Sequence, residues 1–196
     1  MNLNFKYRDK ITLIFDMDDV LCCTQERIKY ILKKEYNKDV KMEDLTQWDY
    51  QHTWGKECYE ILEQKGFYLD LDIKNDAREI FPKFYNNPNY DVIIVTAGND
   101  ISIPERRIWL TKNFPDFDNE KLYQCKEKWR IIGDFLIDDS PNNVIEFGKN
   151  GGKSIVYDMP YNRTIKNIKR VHNLSEVYSY IEAERLSSKK TKKFYY

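Results

Sequence analysis

Ile11-Thr12-Leu13-Ile14-Phe15 runs directly into Asp16-Met17-Asp18-Asp19, and this junction constrains the fold more than any other stretch. A short, β-branched, nearly unbroken apolar run is the pattern of a strand buried on both faces, as in a parallel sheet covered by helices. Carboxylates placed where such a strand stops lie at its C-terminal tip, the rim where open α/β sheets put their ligand crevice. Asp16 and Asp18 are two apart, so one carboxylate can face a ligand while the other flanks it from the turn. The pair suits a nucleophile with an acid/base partner, or a hard-cation site. Alone, it reads equally well as a strand ending in a solvated acidic turn.

Four later stretches read as strands of the same sheet. Val92-Ile93-Ile94-Val95 ends at Thr96-Ala97-Gly98, and Leu122-Tyr123-Gln124-Cys125 leads to Lys126 and Lys128. Asp134-Phe135-Leu136-Ile137 delivers Asp138-Asp139, and Ser154-Ile155-Val156-Tyr157 follows. Helical stripes lie between them. Pro104 reads as a first helical residue before Ile108 and Leu110; Ser140 and Pro141 read as cap and first turn of a helix closed by Gly148. Alternating strands and helices predict a three-layer α/β/α domain on a parallel sheet of about five strands.

No buried strand is found between residues 22 and 72. Thr24 can cap a helix bearing Ile28, Ile31, Leu32 and Tyr36. Residues 41–56 hold Trp48, Tyr50, His52 and Trp54 without a period, and Glu57 to Lys65 reads as a helix stopped by Gly66. Phe67 to Leu71 is ambiguous between strand and turn. Asn75 to Tyr85 is helical by Ala77, Ile80, Phe81 and Phe84, with Pro82 expected to kink or end it. The expectation is a helical insertion, 22–72, in a core formed by 1–21 and 73–186. An amphipathic helix spans Ser175 to Arg185, before a tail, 187–196, that is basic, then aromatic, and expected to fray.

Lysine plus arginine equals aspartate plus glutamate at 32 each, so no global field draws the chain onto a nucleic-acid polymer, and an anionic ligand needs local positive charge. Cys22, Cys23, Cys58 and Cys125 form no CxxC pair, which favours reduced thiols. Residues 1–8 lack the apolar core of a signal peptide, and no run is long enough to span a membrane. These features point to a cytoplasmic protein. A homodimer is compatible with the sequence.

A parallel sheet gathers the strand tips on one rim: an acidic pair, a hydroxyl, an ammonium and a second acidic pair. Clustered carboxylates repel unless a cation lies among them, and oxygen ligands favour Mg²⁺. With a lysine and a hydroxyl, such a site can hold a phosphoryl group, and a carboxylate nucleophile would form an aspartyl-phosphate. Singly, each piece has a plainer reading: Thr96 as a strand end, Lys126 and Lys128 as a solvated face, Asp138-Asp139 as a helix start complementing its dipole. Response-regulator receivers use similar parts, but their acceptor aspartate lies on the third strand, where this chain has none.

Asp16-Met17-Asp18-Asp19-Val20-Leu21, Thr96, Lys128 and Asp138-Asp139 resemble the four motifs of the haloacid dehalogenase (HAD) superfamily of phosphatases. Lys65-Gly66-Phe67-Tyr68-Leu69-Asp70-Leu71 and Pro160-Tyr161-Asn162-Arg163, with Arg170-Val171, make the chain similar to the 5'(3')-deoxyribonucleotidase family. The resemblance implies a HAD-like core with a small helical cap and a Mg²⁺-dependent phosphatase acting on deoxyribonucleoside monophosphates. It implies Asp16 as nucleophile and metal ligand, Asp18 as general acid/base with its backbone carbonyl on the metal, and Asp138 as the third ligand. Thr96 and the Ala97 amide would hold phosphoryl oxygens, Lys128 would offset charge, and Asp139 would support the site from its edge. Trp48, Phe67 and Tyr68 would wall the nucleotide ring. The chain departs from relatives at Asp19, where they usually carry Gly, at Ala97, where some carry Ser, and at Thr24, where some carry an aromatic pocket residue. Alternative readings are a phosphatase of another small phosphoester, such as a sugar phosphate, and a non-catalytic nucleotide-binding module.

Overall fold

β1 (Ile11–Phe15) divides its side chains between two cores: Leu13 and Phe15 enter a large cluster, Ile14 a smaller one, and all three are fully buried. The computed structural model describes residues 10–192, with side chains to residue 187. The N-terminal stretch and the aromatic tip of the tail lie outside the described residues.

β1 is central to a sheet of six parallel strands with β2 (Tyr90–Thr96), β3 (Leu122–Gln124), β4 (Phe135–Asp138), β5 (Lys153–Tyr157) and β6 (Lys169–Val171), ordered β3-β2-β1-β4-β5-β6. Phe15 pairs with Ile94 on one side and Ile137 on the other. All C-terminal ends therefore share one rim, and the strand order reverses between β1 and β4. Such a reversal opens a crevice there, directly beyond Phe15 and Ile137.

The helices are α1 (Thr24–Tyr36), α2 (Glu57–Leu62), α3 (Ala77–Tyr85), α4 (Ser102–Asn113), α5 (Pro141–Lys149) and α6 (Leu174–Lys192). The large cluster joins Phe81 and Phe84 of α3, Trp109 and Leu110 of α4, and Val177 and Ile181 of α6 to Leu13 and Phe15. Phe147 of α5 packs with Ile14, Val95 and Leu136 on the other face. The Phe15 ring lies 5.2 Å from Phe81 and 5.1 Å from Phe84. Phe15→Ala, which would open a cavity at this junction, is expected to cost about 3–5 kcal/mol, read as a lowered urea midpoint.

Five strands were expected and six are found. β6 has three residues, two of them charged, and pairs in parallel with β5, so it carries no apolar run to betray it. Thr24 is the first residue of α1 rather than its cap; Cys23 occupies the cap position, without a side-chain cap bond. Pro104 is the third residue of α4, where a missing N–H is still tolerated, and α3 continues through Pro82 to Tyr85. α6 extends to Lys192, into the stretch expected to fray. The 67–71 ambiguity resolves as a 3-10 turn over Phe67–Asp70.

Residues 22–72 hold α1, α2 and 3-10 turns at Met42–Asp44, Tyr50–His52 and Phe67–Asp70, with no strand. Their apolar residues Ile28, Leu32 and Ile61 are fully buried in the large cluster. Trp109 Nε1 of α4 donates to the Leu71 carbonyl at 2.7 Å, fastening the end of this segment to the sheet-covering layer. No helix among the described residues is long and apolar enough to cross a membrane.

Candidate active site

Beyond β3, a single 3-10 turn (Lys128–Arg130) carries Lys128 inward, where only 2% of the residue stays exposed. Its ammonium lies 2.7 Å from Asp16 Oδ1 and 2.8 Å from Asp138 Oδ2. A buried ammonium is tolerated only when paired, and two carboxylates on adjacent strand tips pair this one. Lys126, the other lysine weighed for this place, is exposed. Asp138 is held further by the Ser140 N–H at 2.8 Å and by Asn143 Nδ2 at 3.1 Å. Ser140 is the N-cap of α5, accepting from the Asn143 N–H, and Pro141 opens the helix. The helix start thus serves the fold and also braces the carboxylate.

Asp16, Asp138 and Asp139 are all buried, and their carboxylate oxygens lie within 4.8 Å of one another. Burial pushes the Asp16 carboxyl up to about 7, with repulsion from Asp138 and Asp18 added and Lys128 opposing. Burial, then Asp16 and Asp138, hold Asp139 well above the usual carboxylate range. Fully ionised, Asp16, Asp18, Asp19, Asp138 and Asp139 meet Lys74, Arg106 and Lys128 as their ion-pair partners, leaving two negative charges uncompensated. An all-oxygen donor set with that excess fits a hard divalent cation. Asp139, expected at the edge, belongs to the cluster itself.

The residues behind Asp139 are those of the Pro160–Arg163 motif. Tyr161 donates its hydroxyl to Asp139 Oδ2. Asn162 Nδ2 donates to the Asp139 carbonyl at 2.9 Å and the Tyr157 carbonyl at 2.7 Å. Arg170 in turn donates to Asn162 Oδ1 at 2.6 Å and pairs with Asp158 at 2.7 Å. β6 therefore contributes by anchoring the loop that braces Asp139.

Asp18 stands on the turn after β1. Thr24 Oγ1 donates to its Oδ1 at 2.7 Å, and Thr96 Oγ1 to its Oδ2 at 3.4 Å. Arg106 Nη1 lies 2.7 Å from Oδ2. Asp19 has φ 55°, in the left-handed region. That explains why Gly suits this position, and an Asp side chain with local partners is among the few that tolerate it. Its Oδ1 accepts the Gln25 N–H at 3.3 Å and lies 3.9 Å from Lys74 Nζ. Burial pushes Asp19 up to about 7, with Lys74 opposing.

Arg106 was not foreseen, nor was Glu105, which accepts the N–H groups of Gly66 at 2.6 Å and Tyr68 at 3.2 Å. A signal existed: the buried face of α4 is Ser102, Glu105, Arg106, Trp109 and Leu110, so both charges are in helical phase with Trp109 and Leu110. Of the expected ring-walling residues, Trp48 is 54% exposed and meets Tyr161 edge-on at 5.2 Å. Phe67 and Tyr68 are buried and edge-on to one another at 4.8 Å. The Tyr68 ring faces the Arg106 guanidinium at 3.9 Å. Ala97 is exposed just past β2.

A Staphylococcus epidermidis protein named "Putative 5'(3')-deoxyribonucleotidase" is 29% identical over 176 residues, covering 87% of this chain and 96% of that protein. The 5'(3')-deoxyribonucleotidase of Clostridium acetobutylicum is 23% identical over 179 residues, covering 89% of this chain and 97% of its own. A haloacid dehalogenase-like hydrolase from Xanthomonas campestris shares the fold at a TM-score of 0.57 and 15% identity, covering 93% of this chain and 95% of that one. The family model described as "5' nucleotidase, deoxy (Pyrimidine), cytosolic type C protein" matches residues 9–189. With the buried Asp16–Lys128–Asp138 bridge at its sheet rim, the chain belongs to that family of phosphoric monoester hydrolases, built on a HAD-like fold.

Proposed function

We propose that the chain hydrolyses deoxyribonucleoside monophosphates to deoxyribonucleoside and phosphate through an aspartyl-phosphate on Asp16. The observation that carries this reading is the convergence of Asp16, Asp138 and the Lys128 ammonium, all buried, at the C-terminal rim of the sheet. The names of the relatives support the substrate class.

One Asp16 oxygen bonds to phosphorus as the bond from phosphorus to the nucleoside oxygen breaks. Asp18 gives its proton to that oxygen, releasing the nucleoside. Water then attacks the phosphorus and passes a proton to Asp18, while the bond to Asp16 breaks, freeing phosphate and restoring both carboxyl groups. Lys128 offsets charge on Asp16 and on the phosphoryl oxygens, and Thr96 with the Ala97 amide orients those oxygens. Mg²⁺ held by Asp16, the Asp18 carbonyl and Asp138, with Asp139 close enough to share in the task, would supply charge neutralisation to the phosphoryl group. Residues 22–72 act as a cap over a core of 1–21 and 73–186, with Trp48, Phe67 and Tyr68 near the base and sugar and 187–196 as tail. The description of a cytosolic type supports a cytoplasmic setting.

The test is phosphate release across deoxynucleotides, ribonucleotides and sugar phosphates, each with Mg²⁺ and with EDTA. Preference for deoxynucleotides and loss of activity in EDTA are expected. Sugar phosphates turned over as fast as deoxynucleotides would replace this substrate assignment with the small-phosphoester alternative.

A further inference from the structure

Arg106 is 2% exposed, yet its Nε and Nη1 make no hydrogen bond to any described residue, and Nη1 meets Asp18 as an ion pair alone. A buried cation kept only for stability has its donors satisfied as a rule, so the placement needs another reason. Three contacts provide one. Arg106 Nη1 is 2.7 Å from Asp18 Oδ2, the guanidinium lies 3.9 Å from the centre of the Tyr68 ring, and neighbouring Glu105 holds the Gly66 and Tyr68 N–H groups. Asp18 sits on a turn, not a strand, and its side chain is 26% exposed. Its carboxylate is therefore held from three places: by hydrogen bonds from Thr24 on α1 and Thr96 at the end of β2, and by the ion pair with Arg106 on α4. Arg106 also touches the 66–71 segment, through the Tyr68 ring. Its planar, delocalised cation can stack on a ring while pairing with a carboxylate, which lysine does less well.

We propose that Arg106 is the positioning residue for Asp18, and that through Tyr68 it couples the orientation of that carboxylate to the seating of the 66–71 segment. The inference rests on the reading of Asp18 as acid/base. Both proton transfers then depend on Arg106, although it touches neither the phosphorus nor the attacking water. The two transfers separate by leaving group. A nucleoside oxygen needs the proton from Asp18 to depart, whereas p-nitrophenolate leaves without it. Hydrolysis of the aspartyl-phosphate needs Asp18 as base in either case.

The experiment compares Arg106→Gln with wild type on the best nucleotide of the substrate profile and on p-nitrophenyl phosphate. On the nucleotide, kcat is expected to fall roughly 10²-fold, with KM little changed. On p-nitrophenyl phosphate, one nitrophenol per enzyme is expected in a rapid burst before slow turnover, because the phosphoenzyme accumulates. A residue acting only in folding would lower both substrates alike and give no burst. Arg106→Lys should recover part of the loss; Tyr68→Leu should show the same pattern more weakly. If Arg106→Gln does not fold, the burst is read on Arg106→Lys. An equal fall on both substrates without a burst, or no fall, overturns the proposal. Asp18→Asn in the same assay keeps the two claims apart: retained nucleotide turnover there sinks the acid/base reading itself. An inactive Asp18→Asn beside an unaffected Arg106→Gln sinks only this inference.

Discussion

Asp16→Asn is expected to lower turnover of every phosphoester by roughly 10⁴-fold or more, the scale of losing a covalent nucleophile. The amide keeps the shape of the carboxyl group but cannot supply the attacking oxygen anion. It also removes one charge from a cluster in which burial and repulsion already push Asp16 and Asp139 upward. The variant should therefore fold at least as stably as wild type in the absence of metal, because a strained buried charge has gone while Lys128 keeps Asp138 at 2.8 Å. Phosphate release and a thermal melt, run together, check this. Turnover of any phosphoester near the wild-type rate would end the covalent mechanism, and a collapsed melt would mean that the activity loss says nothing about chemistry. The combination of lost activity and preserved stability distinguishes a nucleophile from a structural aspartate.

How far the site was legible in the sequence follows from which constraints are local. Asp16, Thr96, Lys128 and Asp138 could be placed because apolar strands in a parallel sheet must end on one rim, whatever their separation along the chain. Asp16 and Asp138 are more than a hundred positions apart and share one ammonium. Strand alternation argues for only one of two consecutive aspartates facing an ion. Asp139 joins the cluster because the chain leaves β4 at Asp138 and turns into the Ser140 cap. β6 escaped because Lys169 and Arg170 hide a three-residue strand. Arg106 and Glu105 escaped for a deeper reason. Adjacent opposite charges on a helix ordinarily face solvent, a prior that outweighs their phase with Trp109 and Leu110 until the contacts of the folded 66–68 turn show both pointing inward. Asp19 was noted as a departure from glycine, and its φ of 55° is a left-handed conformation that glycine adopts freely.

Lys128→Met is expected to be the most destabilising single change at the site, and its cost should depend on pH. Lys128 is buried between Asp16 and Asp138, and those pairings hold its ammonium protonated well above the ordinary lysine range, against the cost of burial. A lysine whose folded value is raised stays protonated in both states well below its unfolded value near 10.4, so its own titration adds no pH dependence between pH 5 and 8. Removing it leaves the carboxylates uncompensated, a loss of about 3–5 kcal/mol when the pair is broken in a buried site. The carboxylates set the pH dependence. Asp16 and Asp19 titrate near 7 in the folded chain and near 3.9 unfolded, so the folded state holds more protons between those values. Stability of the metal-free protein must then fall as pH rises from about 4 to 7. Without Lys128 the main opposition to the upward push on Asp16 is gone, so the variant takes up a proton at low pH and escapes part of the penalty. Urea midpoints in EDTA should differ little between variant and wild type at pH 5 and widely at pH 8. Mg²⁺, binding the folded site alone, should narrow the gap at pH 8 by mass action and do little at pH 5, where Asp16 holds a proton. A gap of equal size at both pH values would mean that the lysine serves packing, and that charge at this rim is not what the fold must balance.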